Sequence, residues 1–105
     1  MTTIPGRWAL TMRTPIGTVE AEVAFAERDG VLSGAAVGAG ETVPLRSVLS
    51  TAHADGEHVT WSQSITRPMR LDLLFEVIVD GDELHGHSRA GRLPRSSVRG
   101  RRIEA

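Results

Sequence analysis

Alternation of apolar and polar residues is the feature that most limits how this chain can fold. It is clearest in residues 67–86 (RPMRLDLLFEVIVDGDELHG), where every second residue from Met69 to Val79 is apolar. A β-strand shows this period when one of its faces is buried and the other is in water. Asp80-Gly81 then supplies a hairpin turn. The stretch therefore predicts the longest strand of an antiparallel sheet, followed by a tight reversal.

Seven other segments show a similar pattern, and turn residues separate them. They are residues 6–14, 18–27, 31–37, 42–49, 58–65, 84–90 and 97–103. Pro44 lies inside the fourth of these, and it marks an edge or a bulge because proline cannot donate to a strand ladder. No segment of ten or more residues shows a helical period. The pattern predicts eight strands joined by hairpin-length connections.

The two halves of the sequence share landmarks in the same order. Trp8-x6-Pro15 matches Trp61-x6-Pro68, Asp29-Gly30 matches Asp80-Gly81, Leu32-x-Gly34 matches Leu84-x-Gly86, and Pro44 matches Pro94. We interpret residues 6–53 and 58–103 as two four-stranded repeats within one domain, residues 1–105. Joining two such meanders removes their open edges. The predicted fold is all-β, a small antiparallel up-and-down barrel of about eight strands, with two packed sheets as the alternative.

Composition excludes several classes of protein. The 105 residues contain no cysteine, which excludes disulfide frameworks, thiol nucleophiles and thiolate metal sites. No apolar run approaches the roughly 18–20 residues of a membrane helix, so we expect no membrane partner. The first residues show neither the basic start nor the apolar core of a signal peptide, which favours a cytoplasmic location.

Three short motifs resemble those of known barrels. Gly6-x-Trp8 opens the first strand, residues 29–34 (DGVLSG) follow the second hairpin, and Trp61 lies on a later strand. Together they resemble the avidin and lipocalin-type (calycin) barrels. The glycine–tryptophan opening, followed by Thr-Pro-x-Gly, also resembles small uncharacterised bacterial barrel domains. The resemblance implies a barrel fold and a role in binding.

The inner face of an eight-stranded barrel is either filled by side chains or holds one small ligand. The alternation points sixteen side chains inward: Trp8, Leu10, Met12, Val19, Ala21, Val23, Phe25, Val59, Trp61, Gln63, Ile65, Met69, Leu71, Leu73, Phe75 and Val77. Gln63 is the polar exception, and it either orients a ligand or bonds to the backbone at a strand end. The predicted ligand-binding residues are Trp8, Met12, Phe25, Trp61, Gln63 and Phe75.

Three functions fit this pattern. The prediction is a protein that binds a small hydrophobic molecule and needs no cofactor. The alternatives are a cofactor-free isomerase or cyclase and a purely structural or dimerisation module. No catalytic residue is identified, because the carboxylates fall on outward faces and no serine lies in a G-x-S-x-G motif. An ionisable group inside the barrel would distinguish an enzyme from a binding protein.

Leu74 and Ile78 break the alternation on the outer face of the longest strand. They lie among Asp72, Glu76 and Asp80, as a small apolar patch with a polar rim. Such patches are typical of protein interfaces. We therefore expect a homodimer formed through Leu74 and Ile78.

Two charged motifs are assigned to the surface. His85 and His87 share a strand face, but Leu84 marks the inner face, so we expect the pair to point outward and predict no metal site. Six arginines occur in residues 89–102 without an acid. Because that segment has no aromatic residue on which bases could stack, we do not expect a nucleic-acid partner.

Overall fold

The computed structural model describes residues 3–15, 17–67 and 69–105. They form nine antiparallel strands: β1 (Gly6–Thr14), β2 (Gly17–Arg28), β3 (Val31–Gly38), β4 (Glu41–Pro44), β5 (Arg46–His53), β6 (Gly56–Ile65), β7 (Leu71–Asp80), β8 (Glu83–Arg89) and β9 (Ser96–Glu104). Their order in the sheet is β4-β3-β2-β1-β9-β8-β7-β6-β5. The strands thus run up and down around a nearly closed barrel, and the predicted fold class is confirmed.

The predicted fourth strand, residues 42–49, is split into two strands, and Pro44 does mark an edge, because β4 lies at one end of the strand order. Pro44 ends β4, and the buried Leu45 donates its backbone N–H to the Gly34 carbonyl oxygen at 2.9 Å. Ser47 has a positive φ of 54°, and the register between β5 and β6 shifts between Arg46 and Leu49. A bulge of this kind bends a strand sharply. β4 therefore pairs with β3 and β5 with β6, so the two sheet edges meet at this corner.

The direction of the strands defines two ends of the barrel. The upper end carries the connections β1–β2, β3–β4, β6–β7 and β8–β9. The lower end carries the connections β2–β3, β5–β6 and β7–β8, together with residues 3–5 and 105. The described residues include no helix that is long and apolar enough to cross a membrane.

The core is apolar and depends on glycines that allow close contacts. Its buried members are Ile4, Trp8, Leu10, Val23, Phe25, Ala36, Leu45, Val59, Trp61, Phe75, Val77, Val79, Leu84 and Val98. A Cβ atom on Gly100 would lie 2.5 Å from Leu10 Cδ2 and 3.0 Å from Leu84 Cδ1, so glycine lets these two leucines fill the interior.

Gly34 and Gly86 lie at matching places in the two predicted repeats. A Cβ atom on Gly34 would collide with the Ala24 carbonyl oxygen, and one on Gly86 would collide with the Glu76 carbonyl oxygen. In each half a glycine is therefore required where one strand crosses close to its neighbour. The duplication itself stays a prediction.

Two residues predicted to point inward are exposed. Met69 precedes β7, which begins only at Leu71, and 52% of Met69 is accessible to solvent. Its inward assignment is wrong because the strand begins two residues later. The prediction that this is the longest strand is also wrong, since β2 has 12 residues and β7 has 10. Val19 pairs with Met12 near the upper end and is 38% exposed. It lies at the rim of the barrel instead of in the core.

Candidate functional site

A cluster of three aromatic rings lies in the middle of the barrel. The Trp61 and Phe75 rings stack with their centroids 4.7 Å apart and their planes 5° apart. Phe25 meets Trp61 edge-on at 5.3 Å and 79°. All three side chains are buried. Flat and edge-on contacts of this kind fix the rings in place, so they form a rigid apolar floor beneath the upper end.

Gln63 lies two residues further along β6, on the upper side of this floor. Its amide oxygen accepts a hydrogen bond from the Trp61 indole nitrogen at 3.0 Å. Because an indole N–H can only donate, this contact assigns the oxygen to the Trp61 side and leaves the amide nitrogen on the other. Among the described residues, the Gln63 side chain therefore bonds to a ring N–H and not to the backbone, which was the alternative to a ligand that the sequence left open.

The amide nitrogen of Gln63 has no hydrogen-bond acceptor among the described residues. No fully buried side-chain nitrogen or oxygen in that part of the chain lacks a partner. The amide nitrogen must therefore touch a surface that solvent can reach, although Gln63 as a whole is only 6% exposed. Ser88, 4% exposed and paired across the strands with Phe75, is the second buried polar side chain near the floor.

Exposure of the inward side chains increases from the floor towards the upper end. On β7, Phe75 is 1% exposed, whereas Leu73 and Leu71 are half-buried. Met12 on β1 is half-buried too, and like Leu73 it packs against the core. Above Gln63 and the aromatic floor, the inward side chains are therefore apolar and only partly buried, and we call this loosely packed upper end the opening.

The lower end is closed. The Trp8 indole nitrogen donates to the Ile4 carbonyl oxygen at 3.0 Å, and both residues are fully buried. The Arg102 guanidinium covers one face of the indole, with its carbon 4.4 Å from the ring centroid. Trp8 therefore belongs to the closure of the lower end, and its indole face is already covered.

Arg102 holds the lower end together through several oxygen acceptors. They are the carbonyl oxygens of Thr3, Pro5 and Gly81 and the carboxylate of Asp82. A Cβ atom on Gly6 would lie 2.9 Å from Arg102 Nη1. The Gly-x-Trp motif thus has a physical basis here, because the glycine leaves room for the guanidinium that covers the tryptophan.

Glu41 lies at the upper rim, at the start of the edge strand β4. Its carboxylate accepts hydrogen bonds from the backbone N–H groups of Thr66 and Arg67, at 2.7 and 3.0 Å, and from the Thr66 hydroxyl at 2.9 Å. The backbone bonds, that of Thr66 first, lower the pKa of Glu41 because they favour the charged form. Glu41 thereby links the start of β4 to the residues that follow β6.

The outer wall carries the residues predicted for a dimer. Leu74 is 42% exposed and pairs with Ser62 and Arg89, while Ile78 is half-buried between His58 and His85. Two grooves lined by described residues also lie on this outer wall, around Ala9, Thr11 and Glu20. A ligand at the upper end would therefore have to displace half-buried side chains instead of entering a ready-made cavity.

The outer-wall histidines are not arranged as metal ligands. His85 is exposed, and the Nε2 atom of His87 lies 3.8 Å from the Oε2 atom of Glu76. At the β5–β6 hairpin, the rings of His53 and His58 stack at 3.9 Å. Within the described ranges, no three or more histidine, aspartate or glutamate side chains are grouped so that they could hold a metal ion.

Sequence reasoning missed Arg102, Glu41 and Ser88. A signal was available for Arg102, because alternation in β9 places it on the same face as Val98 and Gly100. Ser88 likewise shares a face with Leu84. Glu41 gave no such signal, because its partners Thr66 and Arg67 come from a distant connection.

The fold is thus a small up-and-down β-barrel with one end closed by side chains and one end whose apolar side chains are only partly buried. Two solved structures are similar to it. A redesigned β-barrel, b11L5F_LGL, has a TM-score of 0.68 at 17% identity, over 96% of this chain and 92% of that chain. A second, mFAP0 bound to DFHBI, has a TM-score of 0.64 at 19% identity, over 94% and 98%. No protein-family model and no curated protein matches the sequence. At these identities the similarity shows the fold alone.

Proposed function

We propose that the protein binds a small, uncharged, largely apolar molecule at the upper end of the barrel. The observation that carries this proposal is the amide nitrogen of Gln63, which is accessible but has no acceptor among the described residues. A lone donor over an apolar floor suits a ligand with one acceptor oxygen on a flat hydrophobic body. The second similar barrel, bound to DFHBI, is consistent with a ligand in this kind of fold.

The proposed site contains five of the six predicted residues. Trp61, Phe75 and Phe25 form the floor, Gln63 donates the hydrogen bond, and Met12 moves aside to admit the ligand. Methionine is suited to this because its unbranched side chain readily adopts other rotamers. We leave Trp8 out of the site, because Arg102 covers its ring.

Binding is favoured over acid–base catalysis by what surrounds the opening. The buried polar side chains there, Gln63 and Ser88, do not ionise at neutral pH. Glu41 is at the rim, and its carboxylate is bound by the Thr66 and Arg67 backbone. A cyclase or isomerase of the kind considered above would need a proton donor beside its substrate.

The test is a titration with Nile red, an uncharged apolar dye that has one carbonyl acceptor. We expect its emission to increase and shift to the blue, with quenching of Trp61 fluorescence. Gln63→Leu should weaken binding of the dye about tenfold, which corresponds to the loss of one buried hydrogen bond. Thr60→Val, a change on the outer face of the same strand, is the matched control. Equal Kd values for the two variants, or no emission change with the wild type, would contradict the proposal.

We also propose that two copies associate through Leu74 and Ile78. The support is the 42% exposure of Leu74 beside the half-buried Ile78. Leu74→Arg should convert a dimer to a folded monomer in light scattering. Val37→Arg, which alters a residue 47% exposed on the opposite wall, is the control. A monomeric wild type, or dissociation caused equally by both variants, would refute this interface.

A further inference from the structure

The charges of the connecting loops are segregated between the two ends of the barrel. At the upper end, the β6–β7 and β8–β9 connections carry Arg67, Arg70, Arg92 and Arg95 and no acid. At the lower end, the three hairpin turns carry Asp29, Asp55 and Asp82 and no base. These loops make the upper end basic, apart from Glu41 at its rim, and the lower end acidic, although the formal net charge is only −1.

The four upper arginines are exposed, and they form no ion pair with any described carboxylate. Three arginines outside these loops do form ion pairs: Arg7 with Glu22, Arg89 with Glu76 and Arg102 with Asp82. Unpaired guanidinium groups concentrated at one end create a local positive field that attracts an anionic partner. The upper end is thus a surface suited to negative charge.

Large apolar side chains are exposed between these arginines. Met69, between Arg67 and Arg70, is 52% exposed, and Leu93, between Arg92 and Arg95, is 54% exposed. Val19, also near the upper end, is 38% exposed. A single exposed leucine is ordinary, but two loops with the same order of arginine, apolar residue and arginine at one end form a combined pattern.

We propose that the upper end docks on the surface of an anionic lipid bilayer. Met69 and Leu93 would enter the headgroup region while the four arginines contact lipid phosphates and carboxylates, as in interfacial membrane binding generally. The loops have no aromatic side chains on which bases could stack, so a nucleic acid fits less well. The expectation of no membrane partner came from the lack of a spanning segment, and surface docking needs none.

This orientation places the opening above Gln63 against the bilayer. An apolar molecule could then pass between the lipid and the barrel without crossing water, which is a further consequence if the proposed ligand site is also right. The docking surface does not depend on that site, because Met69, Leu93 and the four arginines lie outside it. Vesicle binding and dye binding can therefore succeed or fail separately.

The test is co-flotation of the protein with vesicles of phosphatidylcholine alone and of phosphatidylcholine with phosphatidylserine. We expect binding to the anionic vesicles and little to the neutral ones. Arg92→Gln with Arg95→Gln should weaken partitioning about 30-fold, since each arginine near an anionic surface contributes roughly a fivefold factor. Leu93→Ser should weaken it about tenfold through the lost apolar insertion.

Matched control variants test whether the location of the charged and apolar residues matters, or only their number. Arg99→Gln with Arg101→Gln removes the same charge from the barrel wall, and Val31→Ser removes an apolar residue, 66% exposed, beside the lower β2–β3 turn. Both should partition like the wild type, and all variants should keep the wild-type melting temperature. Equal losses of binding to anionic vesicles in the test and control variants would overturn the proposal.

Three other results would also overturn it. The first is wild-type protein that floats with neither kind of vesicle. The second is displacement from anionic vesicles by millimolar inorganic phosphate, which would show a site for a free anion. The third is a single-stranded oligonucleotide that binds in an Arg92- and Arg95-dependent manner while vesicles do not.

Discussion

The two ends of the barrel are built from the same strands, yet their arginines lie in opposite surroundings. At the lower end, Arg102 is directed inward, covers the Trp8 ring and is bound by backbone and carboxylate oxygens. At the upper end, Arg92 and Arg95 are exposed and form no ion pair within the described part of the chain. Arginine therefore helps to close the lower end, whereas the arginines of the upper end remain at the surface.

The arginines of the two ends differ in what they contribute to the stability of the fold. A guanidinium that donates to four oxygen acceptors, as Arg102 does, stabilises a closed end, because these bonds compensate much of its desolvation. Exposed arginines contribute little to folding, since water and salt screen them. Substitutions at the lower end should therefore change stability, and those at the upper end should change binding.

The largest effect is expected for Arg102→Ala. It leaves carbonyl oxygens of Thr3, Pro5 and Gly81 without their donor and uncovers Trp8, which should lower the free energy of unfolding by about 3 kcal/mol. Arg95→Ala at the upper end should stay within about 0.5 kcal/mol of the wild type. Urea unfolding followed by tryptophan fluorescence measures both.

Arg102→Lys should recover little of this loss, because an ammonium group cannot reproduce the planar fork of donors. Similar unfolding midpoints for the Arg102 and Arg95 variants would contradict the prediction that only the arginine of the lower end stabilises the fold.

A smaller effect on stability is expected to distinguish two glycines that have nearly the same φ. Gly6 at the lower end has φ of 130°, and Gly17 at the upper end has φ of 133°. A Cβ atom on Gly6 would lie 2.5 Å from the Glu104 carbonyl oxygen, whereas no described atom lies within 4 Å of one on Gly17. Both Gly→Ala variants carry the same φ strain, so the difference in their stability isolates packing.

We expect Gly6→Ala to be less stable than Gly17→Ala by about 2 kcal/mol, as is usual for overpacking against a fixed backbone. Thermal denaturation of the two variants side by side gives the difference. Equal melting temperatures would mean that the lower end yields easily to an extra methyl group.

The smallest effect concerns the pH dependence of the upper rim. The pKa of Glu41 lies below its ordinary value of 4.5, mainly because the Thr66 backbone N–H binds the carboxylate. A lowered pKa in the folded state means that this contact stabilises the fold above pH 4.5 and is lost as the pH falls through the lowered pKa. The effect should be small, because the carboxylate is open to solvent.

An NMR titration of the Thr66 amide measures the loss of this contact directly. The chemical shift of the Thr66 amide should change with pH in the wild type and stay constant over the same pH range in Glu41→Gln. Glu20→Gln, which alters an exposed carboxylate on the wall, should titrate like the wild type. A Thr66 shift that still titrates in Glu41→Gln would assign the change to another group.

Much of the fold could be predicted because each strand carries its own local signal. Alternation located β1, β6 and β7, and Asp-Gly pairs located the turns after β2 and β7. The corner at Leu45 could not be read in this way. It depends on a contact with Gly34 and on a positive φ at Ser47, which is a residue that seldom adopts it.

The site was harder to predict than the fold. Alternation placed Trp8 and Trp61 on the same inner face, but it does not show which end of a barrel closes. That depends on Arg102, whose partners Thr3 and Pro5 are almost a hundred positions away in the chain. The partner of Gln63 was equally out of reach, because an inward amide can bond to a ring, a backbone group or a ligand.

The pairing of β1 with β9 has a consequence for the rate of folding. Other pairings join strands that are neighbours in sequence, so their loops are short and form early. β1 and β9 instead bring Arg7 beside Glu104, and the chain must lose the entropy of a long loop before this contact forms. We therefore expect the contact of Arg102 with Trp8 to form after the transition state. Its removal should then accelerate unfolding while leaving the refolding rate nearly unchanged.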